Sequence, residues 1–206
     1  MRRFQTSGTT TTREPCSVKP DDAPDSDLIT RARAGDSDAF RILVERHEPL
    51  VAATVIGMLG AGADAEDVGQ EVFVRFNKAL DQFRGDAAVG TYLTRIAINL
   101  ALNAAKSRKR SRLRFWSRDQ EEAPPPESSV DGQDVVDQEE RQQIVRWGIQ
   151  QLQLDHRAVV VLRMIEEYST KETALMLELA EGTVLSRLSR GMARLKEVLQ
   201  NRGVEK

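Results

Sequence analysis

The sequence contains very little cysteine and histidine. Its single cysteine, Cys16, cannot form an internal disulfide and cannot build a cysteine-rich zinc site. The two histidines, His47 and His156, are far apart, and neither has a neighbour at the spacing of a metal ligand. We therefore expect this chain to bind no metal and to need no cofactor.

Long apolar runs are also missing. No segment approaches the roughly 20 apolar residues that a membrane-spanning helix needs. Arg2 and Arg3 are followed by the polar stretch "FQTSGTTTTREP", which lacks the apolar core of a signal peptide. These two observations predict a cytoplasmic protein.

Catalytic patterns are absent as well. The sequence shows no serine–histidine–aspartate set, and glycines such as Gly60 and Gly62 do not follow a strand, as those of a phosphate-binding loop would. The carboxylates fall on polar helix faces or in an acidic segment. The sequence therefore argues against an enzyme.

Charge is unevenly distributed although it nearly cancels. The chain carries 30 Lys and Arg against 32 Asp and Glu. However, residues 106–118, "KSRKRSRLRFWSR", are strongly basic, whereas residues 119–140 contain many acids and no Lys or Arg. The basic block predicts a polyanionic partner. The acidic segment beside it is expected to limit binding to polyanions where such binding is not wanted.

Apolar residues recur at intervals of three and four in most segments, which is typical of helices. Gly35 and Asp36 divide the first such segment into two helices, and Gly57, Gly60 and Gly62 are expected to end the second. Further helices are predicted at 64–83, from Thr91 into the basic block, and near 170–178 and 181–199. The run "AVVVLRMI" is expected to be a buried helix.

Pro124, Pro125 and Pro126, surrounded by acids, mark a linker. We therefore predict an all-α fold of two small helical domains. The expected divisions are a disordered tail at 1–24, a first domain at 25–114, the linker at 115–138 and a second domain at 139–202.

The last two predicted helices form a characteristic pair. Ser169 followed by Glu172 has the spacing of a capping box. The first helix of the pair is expected to bury Ala174, Leu175 and Leu177, and the second to bury Val184, Leu188, Met192 and Leu195. Two short helices joined by a tight turn, with basic residues outside, match a helix-turn-helix. An αα-hairpin whose arginines are only solvated is the open alternative.

Four segments in order resemble one known family. They are "DLITRARAGDSDAF", "DAEDVGQEVFVRF", "FRGDAA…TYLTRIAINLALN" and "EGTVLSRLSRGMARLKEVL". From Asp25 to Leu199 the chain resembles the bacterial RNA polymerase sigma factors of the extracytoplasmic-function (ECF) group. The resemblance implies a subunit that binds core RNA polymerase, directs it to specific promoters and helps to melt the −10 region. It also implies control by an anti-sigma factor.

The resemblance further implies three groups of contact residues. The polymerase-binding group comprises Asp67, Gln70, Glu71 and Arg75. The group for the −10 element and its melting comprises Arg84, Gly85, Asp86, Tyr92, Arg95, Asn99, Asn103 and Lys106. The group for the −35 element comprises Thr183, Leu185, Ser186, Arg187, Ser189 and Arg190. Physically, a glycine-containing loop leaves room for a flipped base, and an aromatic ring with cations follows a single strand.

This sequence departs from the family pattern at several positions. Tyr92 stands where the family usually has Trp, and Gln153 stands where Pro is usual. In the helix-turn-helix, Glu178 replaces a common Gly, Ala180 replaces a capping Ser or Thr, and Leu185 occupies a place often held by a basic residue. We therefore expect unusual specificity for the −35 element.

The predicted linker is long enough for both promoter elements. Its residues, 115–138, reach about 80 Å at ~3.3 Å per residue, and elements separated by roughly 17 base pairs lie about 58 Å apart at ~3.4 Å per pair.

Two other functions remain open at this point. One is a two-domain DNA-binding regulator that acts without polymerase, and the other is a helical interaction scaffold that binds no DNA.

Overall fold

The computed structural model describes residues 23–115 and 138–202. Residues 1–22 of the predicted tail, with Cys16, and the interior of the predicted linker lie outside these ranges. All regular structure within them is helical, which confirms the all-α prediction. The helices are α1 (Asp25–Arg33), α2 (Ser37–Leu59), α3 (Ala63–Ala79), α4 (Val89–Phe115), α5 (Gln138–Gln150), α6 (Leu154–Val160), α7 (Thr170–Leu177) and α8 (Glu181–Gln200).

Helices α1 to α4 form the first bundle. The break between α1 and α2 lies at the predicted Gly35–Asp36 pair, because Gly35 adopts a φ of 92° and the Asp36 carboxylate caps α2. That carboxylate accepts from the backbone N–H groups of Asp38 and Ala39 at 3.0 and 3.1 Å. The core of this bundle consists of apolar side chains. Those that are fully or almost fully buried include Leu28, Leu43, Val55, Phe76 and Leu93.

Two predicted helix ends of the first bundle need correction. Gly57 does not end α2, because the helix continues to Leu59 and stops before Gly60, whose φ is 82°. Gly57 is buried inside the helix instead. Helix α4 begins at Val89, before the predicted start at Thr91.

Helices α5 to α8 form the second bundle. The run "AVVVLRMI" is helical as predicted, with α6 continuing as one π-helical turn over Val161–Ile165. Its first five residues are buried, but the prediction of burial is wrong for Met164 and Ile165, which are exposed. The capping box is also confirmed: the Ser169 hydroxyl accepts from the N–H of Glu172 at 3.2 Å, and the Glu172 carboxylate accepts from the N–H of Ser169 at 2.8 Å.

Two predicted core residues of this bundle are wrong. Leu175 is 67% exposed, and Met176 is buried in its place. Met192 is 38% exposed, because α8 approaches α6 through Gly191. A Cβ atom at Gly191 would lie 2.8 Å from Cγ2 of Val160, so the two helices leave no room for a side chain at this position.

The two bundles pack directly against each other. Met58, Ile98 and Ala101 of the first bundle are fully buried in one apolar cluster with residues of the second bundle. The sequence pattern predicted two domains and a linker, but it gave no indication of this contact.

Candidate functional site

The outer face of α3 carries the residues that resemblance assigns to polymerase binding. Asp67, Gln70 and Arg75 are exposed, because Val72 and Phe76 turn the opposite face of the helix into the core. Glu71 is partly exposed, and its Oε1 accepts from Nε of Arg75 at 2.8 Å. The structure therefore brings all four residues together on one accessible surface.

The loop between α3 and α4 is anchored at its start by Arg33 of α1. Nε of Arg33 donates to the carbonyl oxygen of Leu80 at 2.9 Å, and Nη2 donates to the carbonyl oxygen of Phe83. Directly after this anchor, the predicted residues Arg84, Gly85 and Asp86 are exposed. Gly85 has a φ of 77° and an open surrounding, so the loop turns there without filling the space beside it.

One face of α4 continues from this loop. Arg95, Asn99, Asn103 and Lys106 are exposed, and their intervals of three and four residues place them in one row along the helix. Asparagines and cations in such a row can follow a nucleic-acid backbone with hydrogen bonds and charge.

Tyr92 belongs to an aromatic cluster at the start of α4. Its ring is partly buried, with its centroid 5.1 Å from that of Phe83 in an edge-on arrangement and 6.0 Å from that of Phe76. Such pairs stabilise the fold beyond the area they bury. Tyr92 therefore fixes the loop against the core, and only its exposed part can meet a base.

Helices α7 and α8 form the predicted helix-turn-helix. Glu178 ends α7 in the left-handed conformation, with φ 55° and ψ 46°, which explains why glycine is common there in the family that this chain resembles. Ala180 precedes α8 without a side-chain capping bond. Glu178 and Ala180 therefore each make the turn locally less stable than the residues that are usual in that family.

The predicted −35 residues divide into two sets on α8. Leu185, Ser186, Ser189 and Arg190 are exposed on the outer face. The Ser186 hydroxyl donates to the carbonyl oxygen of Thr183 at 3.0 Å. Thr183 is partly buried.

The side chain of Arg187 is 28% exposed and turns toward α6, where Nη2 lies 3.4 Å from Oδ2 of Asp155. It does not share the outer face with Arg190.

The two predicted DNA-contacting groups lie close together in this structure. Nη2 of Arg95 on α4 lies 3.7 Å from Oε1 of Glu178 in the turn of the helix-turn-helix. Sequence reasoning missed the polar residues between the bundles, namely Thr54, Gln150, Arg157, Glu166 and Tyr168. No motif marks them, because each stands in an ordinary helical or loop pattern and only the packing brings them together.

The described residues show neither a group of metal ligands nor a membrane-spanning helix. Residues 23–115 and 138–202 contain no cluster of three or more His, Cys, Asp or Glu that could hold a metal ion. In the same part of the chain, no helix has the length and apolar character needed to cross a membrane.

Comparison with known families decides the identity of these two bundles. The family model described as Sigma-70 region 2 matches residues 43–111, and the model described as Sigma-70, region 4 matches residues 148–195. The chain belongs to the sigma-70 family of RNA polymerase sigma factors. The sigma-70 region 2 match covers most of the first bundle, and the region 4 match includes α7 and most of α8.

Similar proteins place this sigma factor in the ECF group. It is 33% identical over 196 residues to the ECF RNA polymerase sigma-E factor of Escherichia coli K12, covering 86% of this chain and 93% of that one. It is 31% identical over 194 residues to the RNA polymerase sigma-H factor of Pseudomonas aeruginosa, covering 85% and 94%. The prediction of a sigma factor that directs RNA polymerase to promoters is confirmed.

Solved structures agree with this fold. The structure of CnrH in complex with the cytosolic domain of CnrY matches with a TM-score of 0.61 and 26% identity, covering 86% of this chain and 97% of that one. The sigma factor RpoE from Bartonella quintana, in complex with the anti-sigma factor NepR, matches with a TM-score of 0.62 and 22% identity, covering 81% and 98%.

Proposed function

We propose that this sigma factor divides its work between its two bundles, with the first spanning 25–114 and the second 139–202. The outer face of α3 contacts core RNA polymerase, the loop and the row on α4 engage the −10 element, and α8 engages the −35 element. The observation that carries this division is the agreement between the family matches and three separate accessible surfaces.

Polymerase docking rests on Asp67, Gln70, Glu71 and Arg75 of α3. Their surface is solvent-accessible and lies opposite the helix face that fills the core. A substitution here removes a contact without disturbing packing. The effect on polymerase binding can therefore be separated from an effect on folding.

Opening of the −10 element needs favourable contacts with the melted strand. Unstacking a base step costs a few kcal/mol, and no nucleotide is hydrolysed to supply it. The loop Arg84–Asp86 offers an open space for an extruded base, and the anchor from Arg33 holds that space in place. The row Arg95, Asn99, Asn103 and Lys106 then follows the backbone of the strand, with Tyr92 at its start.

Recognition of the −35 element is assigned to the outer face of α8. Ser186, Ser189 and Arg190 can donate hydrogen bonds to base edges in the major groove. Leu185 is 53% exposed and offers an apolar contact of the kind that suits a thymine methyl group. Thr183 and Arg187 contact phosphates, and Arg187 must leave Asp155 to do so.

We infer regulation and location from the family and its relatives. We assign the chain no catalytic activity of its own, and we place it in the cytoplasm with RNA polymerase. Control by an anti-sigma factor is supported by the fold it shares with the Bartonella sigma factor, whose solved complex contains one. Such a partner would cover surfaces that polymerase or promoter DNA needs.

The test of polymerase docking is the double substitution Asp67→Ala with Gln70→Ala. We expect core binding to weaken by at least about 30-fold, the effect of losing about 2 kcal/mol at an interface hot spot, while the melting temperature stays unchanged. Lys78→Ala, at an exposed position of the same helix, is the control. Unchanged core binding by the double variant would contradict the docking assignment, and polymerase-independent promoter binding would favour a separate regulator.

A further inference from the structure

The C-terminal end of α1 contacts the entry of the loop that joins α3 to α4. Nε of Arg33 donates to the carbonyl oxygen of Leu80 at 2.9 Å, and Nη2 donates to the carbonyl oxygen of Phe83. Both acceptors lie just before Arg84, the first of the loop residues assigned above to the −10 element. Because the planar guanidinium holds its N–H groups in a fixed fork, one side chain fixes the backbone at this point in two directions.

The N-terminal end of α1 reaches the exit of the same loop through α2. Oδ2 of Asp25 lies 2.8 Å from Nε2 of His47, and Oδ1 of Asp25 accepts from Nη1 of Arg46 at 2.6 Å. The side chain of His47 is only 13% exposed, and a Cβ atom at Gly90 would lie 3.7 Å from its Nδ1. Asp25 therefore orients a histidine ring that packs against the backbone at the start of α4.

The loop between these two contacts has an open conformation. Residues 84–88 are exposed, whereas the residues on either side of them, Phe83 and Val89, are buried. No atom lies within 4 Å of the position that a Cβ would take at Gly85. The conformation of such a loop depends on how its ends are held, and a loop that must be ordered during binding lowers the affinity for its ligand.

Helix α1 is itself fixed in the first bundle. Leu28 is fully buried and Ile29 is 6% exposed, in the same core cluster as the two residues that flank the loop. Asp25 and Arg33 are eight residues apart, about 12 Å along the helix at ~1.5 Å per residue. The sigma-70 region 2 match begins at residue 43, so α1 lies outside it.

We propose that α1 is a positioning element for the −10 loop. Arg33 holds the entry of the loop, and Asp25 holds its exit through His47. Together they keep the space beside Gly85 formed before DNA arrives, so that an extruded base enters an ordered site. The proposal rests on the assignment of the loop to the −10 element made above.

The test measures how the complex of this chain with core RNA polymerase binds two DNA probes. One probe is a single-stranded oligonucleotide carrying the −10 element, and the other is a duplex carrying the −35 element, both from a promoter identified by start-site mapping. Arg33→Met should weaken binding of the single strand by at least about tenfold, the effect of ordering the backbone of one loop residue on binding. Binding of the −35 duplex and of core polymerase should not change. Unchanged binding of the single strand, or an equal loss for both probes, overturns the positioning role.

Arg31→Met is the matched control for Arg33→Met. Arg31 is a cation on the same helix, but Nη2 of Arg31 lies 2.8 Å from Oδ2 of Asp36, at the break between α1 and α2. We expect this variant to bind both probes as the unmodified chain does. A loss of single-strand binding equal to that of Arg33→Met would assign the effect to the charge or stability of α1 and overturn the role of Arg33.

Arg33→Lys distinguishes positioning from a direct contact with DNA. A lysine keeps the charge but cannot reproduce the fork to both carbonyl groups, so we expect only partial recovery of single-strand binding. A phosphate contact on a single strand contributes about 0.7 to the slope of log affinity against log salt concentration, whereas a positioning residue leaves that slope unchanged. Full recovery by Arg33→Lys, with a smaller slope for Arg33→Met, overturns the positioning role in favour of a phosphate contact.

Asp25→Ala tests the exit of the loop through the sign of its effect. Removing an acid near a DNA-binding surface should raise the affinity for a polyanion, but loss of the contact with His47 should lower single-strand binding. Asp27→Ala, which removes an exposed acid from the same helix, is the control and should not lower it. Tighter or unchanged single-strand binding by Asp25→Ala overturns the role of Asp25.

A loop variant separates failure of this proposal from failure of the proposed function. If Arg84→Ala with Asp86→Ala binds the single strand as the unmodified chain does, the assignment of the loop to the −10 element is wrong. If that variant loses binding while Arg33→Met and Asp25→Ala retain it, the loop assignment stands and the positioning role of α1 is overturned.

Discussion

Arg157 of α6 donates to the carbonyl oxygen of Met58 of α2 at 2.7 Å, across 99 positions of the sequence. The same guanidinium donates to Oε1 of Gln150 at 2.8 Å and to the carbonyl oxygen of Leu152 at 3.1 Å. Burial lowers the pKa of Arg157 to about 10, so the side chain remains charged at neutral pH. One cation thus organises the end of α5 and joins the two bundles.

Replacing Arg157 should therefore be costly. Arg157→Met keeps an apolar stem but leaves the carbonyl groups of Met58 and Leu152 without their donor, which we expect to lower the free energy of unfolding by about 1–3 kcal/mol. Urea denaturation measures the loss. Arg41→Met, which removes exposed ion pairs with Glu45 and Asp38, should cost under about 1 kcal/mol. Equal losses in the two variants would contradict the role of Arg157.

The left-handed turn at Glu178 predicts a stabilising substitution. A residue with a Cβ atom pays roughly 1–2 kcal/mol in this conformation, so Glu178→Gly should raise the free energy of unfolding by up to about 1 kcal/mol. Both substitutions remove the contact with Arg95, but only Glu178→Ala keeps a Cβ atom and therefore the backbone strain. The difference in stability between the two variants measures the strain alone. Thermal denaturation compares the two, and equal melting temperatures would contradict the strain argument.

The uncapped start of α8 predicts a second gain in stability. Ala180 makes no side-chain capping bond, so Ala180→Ser should stabilise the chain by about 0.5–2 kcal/mol. Ser169→Ala, which removes the observed capping box of α7, should have the opposite effect with a similar size. A destabilising or neutral Ala180→Ser would show that the N–H groups at the start of α8 already have other partners.

Glu166 predicts how the stability of the contact between the bundles depends on pH. Partial burial at the contact between the bundles raises the pKa of its carboxyl group, and the hydrogen bond from Thr54 opposes that rise. A raised pKa favours the protonated form in the folded chain. The contribution of this contact to stability is therefore largest below the ordinary pKa of a glutamate and falls as the pH rises through the raised value.

Glu166→Gln should consequently raise the free energy of unfolding at neutral pH and flatten its pH dependence, because the amide oxygen can still accept from Thr54. Urea denaturation, repeated from mildly acidic to neutral pH, measures both effects. Glu167→Gln, at the exposed neighbouring residue, is the control. A pH dependence that persists unchanged in Glu166→Gln would assign it to another group.

Local chemistry explains which parts of the fold were predictable. The break at Gly35–Asp36 and the capping box at Ser169 depend on residues a few positions apart, and the structure confirms both. The burial of Leu175 and Met192 was predicted wrongly because it depends on how α7 and α8 rotate against α6. The spacing of apolar residues is compatible with burial of either Leu175 or its neighbour Met176. On α8, Gly191 determines where the helix packs closely against α6.

The candidate site shows the same division. Family resemblance predicted three groups of contact residues, and most of their members are exposed on separate surfaces. The partial burial of Tyr92 and the turn of Arg187 toward Asp155 arise from tertiary packing. The contact between the two bundles was not predictable for the same reason, because Gly57 is typical of a helix end in the sequence and only the structure shows Val161 beside it.

The most direct test of this account is transcription from fragmented genomic DNA with core RNA polymerase and the purified chain, followed by mapping of transcript start sites. We predict discrete starts preceded by two conserved elements. We also predict that the starts disappear with Asp67→Ala and Gln70→Ala, and that Leu185→Ala or Arg190→Ala changes the preferred upstream element. Starts that do not depend on the chain, or that lack a shared upstream element, would contradict it.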